Sequence, residues 1–229
     1  SRLIWHHKKY KNWQFSYCQF FFMIIQVAGL NENRQIIHHE RRTITMTKNT
    51  ETLSGAEAVQ AGFSHSKTIE ITMAALFIAL TYVATAFINV RIPFLAANGG
   101  LIHLGNIPLF VAAALYGKRT GALAGAFGMG LFDLTSGWVS WAPFTFVICG
   151  LIGFAFAVVA GKKAGKGRLV LAVFVAALIK VVGYYIAEIF LYGSLVAPVT
   201  SIPGNLVQIF VAGVIAVPVI LVLQKVLHN

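Results

Sequence analysis

The chain has 229 residues, 58% hydrophobic and 11% charged, with a formal net charge of +11. That much apolar surface exceeds what a soluble domain of this length buries, so composition excludes an ordinary globular enzyme and points to a protein that faces lipid. The basic residues form no stripe with interleaved aromatics, which speaks against nucleic acid, and Cys18 and Cys149 show neither a disulfide framework nor metal-ligand spacing.

Residues 1–45 differ in character from the rest: His6-His7-Lys8-Lys9, a mixed apolar run around Phe20–Val27 and the cluster His38-His39-Glu40-Arg41-Arg42. Met46 opens a polar stretch, 46–66, of the kind that leads into a first membrane helix. Arg41-Arg42 is encodable as AGG-AGG, the core of a bacterial ribosome-binding sequence, three codons before Met46. The expectation is that 1–45 is upstream DNA read as protein, with a tag remnant or an amphipathic extension as rivals. A native-host protein whose intact mass retains Ser1–Thr45 would contradict it. From Met46 onward eight Lys and three Arg face five acidic residues, a net charge of about +6.

The body, 67–229, reads as an all-α polytopic membrane bundle of six spans: Thr68–Val90, Leu104–Tyr116, Gly121–Leu134, Ala142–Ala160, Leu169–Leu191 and Ile202–Leu227. The second and third are short for a crossing of about 20 residues, so they are expected to be tilted, shielded or extended into loops, and four spans is the rival count. Lys67, Lys118-Arg119, Lys162, Lys163, Lys166, Arg168 and Lys225 all fall on one side. The opposite loops, Arg91–His103, Thr135–Trp141 and Tyr192–Ser201, hold only Arg91. The positive-inside rule therefore places both termini in the cytoplasm. On the first span Ala75 and Ala79 lie one turn apart and let another helix approach closely, within the bundle or on a separate protein. Gly121, Gly125 and Gly128 repeat the device on the third span, where packing inside the bundle is the reading.

Polar residues at membrane depth need partners or a watery cavity. The loop Asn98–Asn106, with His103, reads as a re-entrant segment or lid, and His103 has no second histidine at metal-ligand spacing. Asp133 stands beside Thr135, Ser136 and Gly137, where it organises a turn or meets a ligand. Trp138 and Trp141 flank the same loop, as an interfacial belt or as walls for a planar heterocycle. Lys180, Tyr184 and Glu188 form a polar line on the fifth span; Lys180, nearer the cytoplasmic end, is read chiefly as a structural or snorkelling residue. Asn205 and Gln208 follow Pro203-Gly204 at a helix start, where free N–H groups also serve a polar ligand. No HExxH, GxSxG or Walker phosphate loop is present, so ATP-driven work falls to another subunit.

The runs Gly99–Pro108, Ala112–Gly117, Gly121-Ala122 to Asp133–Gly137, Trp141–Thr145 and Gly183–Glu188 resemble the substrate-binding S components of energy-coupling factor (ECF) vitamin transporters over nearly all of Lys67–Leu227. The resemblance implies a non-catalytic six-helix subunit of the bacterial plasma membrane. It would hold no cofactor, bind a vitamin, and dock on a transmembrane coupling subunit of EcfT type driven by two cytoplasmic ATPases that carry ATP and magnesium. The family's AxxxA docking motif falls on Ala75 and Ala79, and its solute region on Asn98, His103, Trp138, Trp141, Tyr184, Glu188, Asn205 and Gln208. Asn106 departs from the acidic residue expected there. The nearest subgroup resemblance is to S components for hydroxymethylpyrimidine, the thiamine precursor, or for pyridoxine-type rings. Riboflavin, a membrane scaffold or channel subunit without a pocket, and a lipid-acting enzyme are the alternatives.

Overall fold

The computed structural model describes residues 55–91, 101–161 and 163–228. The expected extension 1–45, residues 46–54 of the polar lead-in and the candidate Asn98 lie outside them. Nearly all of the described residues form one compact unit, 60–222; 55–59 at the beginning of the first helix and 223–228 at the end of the last belong to a second.

Six α-helices are described: α1 (Gly55–Phe87), α2 (Asn106–Tyr116), α3 (Lys118–Thr135), α4 (Ala142–Ala160), α5 (Lys166–Tyr192) and α6 (Ile202–His228). The all-helical reading is met, and the six spans expected from the sequence coincide with these helices to within a few turns. Between α1 and α2 lie two short strands, β1 (Asn89–Arg91) and β2 (Leu101–His103), and a 3-10 helical turn (Ala197–Ser201) precedes α6. The strands pair antiparallel, Asn89 opposite His103 and Arg91 opposite Leu101. Asn89 also closes α1, its amide donating to the carbonyls of Thr85 (3.0 Å) and Ala86 (2.7 Å) that the helix end leaves open. Leu101–His103 within the segment read as a lid is thus one strand of a β-ribbon, which helical periodicity gave no reason to expect.

The segments 67–87, 142–160, 166–192 and 197–227 are long and apolar enough to cross a membrane. The 11-residue α2 is not: at 1.5 Å per residue it is about 16 Å long, half the hydrocarbon core. Its shortness is tolerated because Leu109 to Ala113 are buried on every side, so α2 is an inner helix that other helices shield. Around it the patterning is inverted relative to a soluble bundle. On α5 the outward residues are Leu171, Phe174, Leu178, Val182, Ile186 and Phe190, while the inward ones are largely alanine: Ala172, Ala176, Ala177 and Ala187. Large apolar groups meet lipid and small ones let helices close up.

The closest approach is between α3 and α4. A Cβ on Gly153 would lie 2.1 Å from the Gly121 carbonyl oxygen, and one on Gly125 would lie 2.2 Å from that of Cys149. The glycines of the third span therefore serve contact inside the bundle. The reversal from α2 to α3 needs one residue, Gly117, whose φ of 87° a side chain would disfavour.

Candidate functional site

At one end of the bundle lies a partly open cavity of about 80 Å³. β2 contributes Leu101 and His103, and the end of α3 contributes Asp133. The α3–α4 connection brings Trp138 and Trp141, and α5 brings Lys180 and Tyr184. Ser201, Gly204, Asn205 and Gln208 close it from the 3-10 turn and the first turns of α6. These elements converge because the hairpin of α3 and α4, drawn together by the glycine contacts, sets Asp133 beside Thr145, whose hydroxyl donates to the carboxylate. The Thr145 hydroxyl also meets the Tyr184 hydroxyl at 3.0 Å, joining α5 to the same network.

The tryptophans pack edge to face, centroids 5.4 Å apart at 78°, and Trp141 meets Tyr192 at 6.0 Å. The Trp141 indole N–H is buried and has no hydrogen-bond acceptor among the described residues. Such a donor is costly unless something else supplies the acceptor. Gln208 is already engaged: its Nε2 donates to the Leu101 carbonyl (3.2 Å) and its Oε1 accepts from Asn106 (3.4 Å). It therefore ties β2 to α6 across the cavity. Asn106, the departure from an acidic residue, is fully buried in that tie.

His103 is buried, and its Nδ1 accepts the backbone N–H of Gly105 at 3.3 Å. Burial first, and then the positive charge of Lys180, hold the imidazole well below its ordinary range. The ring is therefore neutral at pH 7, and with Nδ1 accepting, the proton is assigned to Nε2, which is left as a donor.

Of the residues singled out from sequence, His103, Trp138, Trp141, Tyr184, Asn205 and Gln208 line this one cavity, from four separate segments. Asn98 lies outside the described residues. Glu188 does not line the cavity; it is fully buried and accepts the hydroxyl hydrogen of Ser201. Helical spacing put Glu188 in line with Tyr184, but one turn further along the helix it is met by the 3-10 turn instead. Lys180 does not snorkel: it is 1% exposed, lines the cavity, and holds its Nζ 5.1 Å above the Tyr184 ring. Its i, i+4 spacing to Tyr184 was the available signal. Asp133 and Ser201 also line the cavity, and no sequence spacing links either to the rest.

Ala75 and Ala79 are far from this geometry in kind. They are exposed on α1, in a row with Ile71 and Val83. Met73, Ala74, Phe77 and Leu80 form the buried side of the same helix. Among the described residues no group of three or more His, Cys, Asp or Glu is arranged to hold a metal ion.

Residues 65–225 match the family described as ECF-type riboflavin transporter, S component. Over 147 residues the chain is 31% identical to the thiamine precursor transporter HmpT of Lactococcus lactis subsp. cremoris (strain MG1363), an alignment covering 64% of this chain and 82% of that protein. Over 111 residues it is 32% identical to an uncharacterized protein of the gap 3′ region in Pyrococcus woesei, covering 48% and 72% respectively. Among solved structures, an S component of a bacterial ECF transporter superposes with a TM-score of 0.55 at 20% identity, covering 71% of this chain and 99% of that one, a likeness of fold.

Proposed function

The chain belongs to the family of ECF-type transporter S components, and on that premise we propose that its solute is a single hydroxymethylated aromatic ring of the thiamine-precursor type. As an S component it is a non-catalytic, multi-pass membrane subunit that binds a vitamin-class solute without a cofactor, and it works with a coupling subunit and ATPases. What supports the finer reading is the cavity. At about 80 Å³ and partly open, it is smaller than the enclosed cavity of roughly 150 Å³ that admits benzene. A single substituted ring between Trp138, Trp141 and Tyr184 needs only modest widening through the open side, whereas the three fused rings of riboflavin need far more. The buried Trp141 N–H offers a donor to a ring nitrogen or hydroxyl. The relative named as a thiamine precursor transporter agrees with this choice, while the family's description favours riboflavin as the second reading.

In this proposal His103, Asn205 and Gln208 contribute polar contacts, and Glu188 acts through Ser201. The cavity lies at the end whose loops hold only Arg91 as a basic residue. With both termini cytoplasmic, it opens to the outside of the bacterial plasma membrane. Capture there, docking through Ala75 and Ala79 on an EcfT-type subunit, and reorientation of the bundle powered by two ATPases complete the transport cycle.

The test is thermal unfolding of the detergent-purified chain with hydroxymethylpyrimidine, pyridoxine, pyridoxamine, thiamine and riboflavin. A ligand at a hundred times its dissociation constant adds about 2.7 kcal/mol to the folded state. Hydroxymethylpyrimidine is expected to raise the melting temperature most. A larger shift with riboflavin selects the second reading, and no shift with any compound sinks both.

A further inference from the structure

We infer that Lys180 determines which ring this chain accepts, donating from Nζ to a ring nitrogen of the solute beside an exocyclic amine that donates to Asp133. The inference rests on the cavity being the solute site.

Lys180 stands in the interior of the 27-residue helix α5, is 1% exposed, and has no carboxylate within 4 Å among the described residues. The carboxylate that shares its cavity is Asp133. The two groups act on each other electrostatically, yet they do not close into an ion pair. Both line the cavity, so the space between donor and acceptor is space a solute enters. A buried ammonium without a counter-ion is costly, and an apolar side chain of the same length would relieve that cost. A ligand that supplies an acceptor offsets it as well.

The two groups are also held in a defined relation. Tyr184, over whose ring Nζ sits, places its hydroxyl 3.0 Å from Thr145, and Thr145 donates to Oδ2 of Asp133. This leaves Asp133 Oδ1 for the solute. A donor on one wall and an acceptor on the other read a ring edge on which an acceptor nitrogen adjoins an amino group. Replacing that amine by a carbonyl puts a hydrogen on the neighbouring ring nitrogen, so the edge then offers a donor to Lys180 and an acceptor to Asp133. Sites built around such hydrogen bonds reject the mismatched analogue strongly, because their own buried groups are left unpaired.

The experiment is calorimetric titration of the purified full chain and of Lys180→Met with hydroxymethylpyrimidine and its oxo analogue. The unmodified chain is expected to prefer the amino compound by about tenfold or more. Lys180→Met is expected to bind it roughly tenfold to a hundredfold more weakly, to lose the preference, and to melt without ligand at the same or a higher temperature. Equal binding of the two compounds by the unmodified chain overturns the inference whether or not the variant folds. So does a Lys180→Met protein that keeps both affinity and preference; the thiamine-precursor reading then stands, with selection made elsewhere. If the unmodified chain binds neither pyrimidine, that reading and this inference fail together.

Discussion

Ala79→Trp is expected to abolish solute uptake by the assembled transporter while leaving solute binding by the isolated chain unchanged. Ala79 is exposed on α1, one turn from Ala75, in a row whose other members, Ile71 and Val83, are apolar. No residue of α1 lines the cavity. An indole on that face projects into lipid and disturbs no contact of the bundle, so the fold and the solute site should be indifferent to it. Two helices that meet through small residues lose their close approach when one residue becomes large, because association in lipid depends on packing rather than on a hydrophobic driving force. Uptake of labelled solute into vesicles carrying the coupling subunit and ATPases, with binding measured in parallel, is the check. Normal uptake would show that this face meets no partner, and lost binding would show that α1 supports the solute site.

Gly153→Val is expected to destabilise the chain by about 3 kcal/mol, the upper end of what overpacking a dense interior costs. The added carbon meets the backbone of Gly121, oxygen at 2.1 Å and carbonyl carbon at 2.4 Å, which no rotamer change can relieve. The hairpin of α3 and α4 must open, and with it the approach that sets Asp133 beside Thr145 at the cavity. Gly167→Ala is the control: nothing lies within 4 Å of its added carbon, so it should gain up to about 1 kcal/mol from helix propensity. Thermal unfolding of both variants without ligand measures the difference. A Gly153→Val protein that melts with the unmodified chain would mean that the two helices do not touch as described.

The helices themselves were readable because lipid imposes one rule on every spanning segment: backbone groups pair internally and side chains outside are apolar. The rule held for Ala142–Ala160 and Lys166–Tyr192, and even the short α2 was recognised as a helix. That α2 is shielded rather than tilted was not readable, since the composition Asn106–Tyr116 is equally apolar whether lipid or protein surrounds it. The β-ribbon was missed for a related reason: a three-residue strand carries too little pattern to announce itself, and it exists only because Asn89–Arg91 finds Leu101–His103.

The site divides along the same line. Membrane depth and residue type marked Trp138, Trp141, Tyr184, Asn205 and Gln208, because polar and amphipathic groups in a lipid-embedded chain require a reason wherever they fall. Their convergence, the exclusion of Glu188 from the cavity and the inclusion of Lys180 were decided only by tertiary structure. Glu188 and Lys180 share one helix with Tyr184 between them, and periodicity treats them nearly alike. What separates them is what faces them: the Ser201 hydroxyl meets Glu188, whereas an open cavity with Asp133 across it meets Lys180. By itself the sequence determined the number of helices and the class of side chain at each depth, through local chemistry. Which charge is satisfied by the protein and which faces the cavity depends on contacts between residues distant in sequence, and these form only when the helices pack.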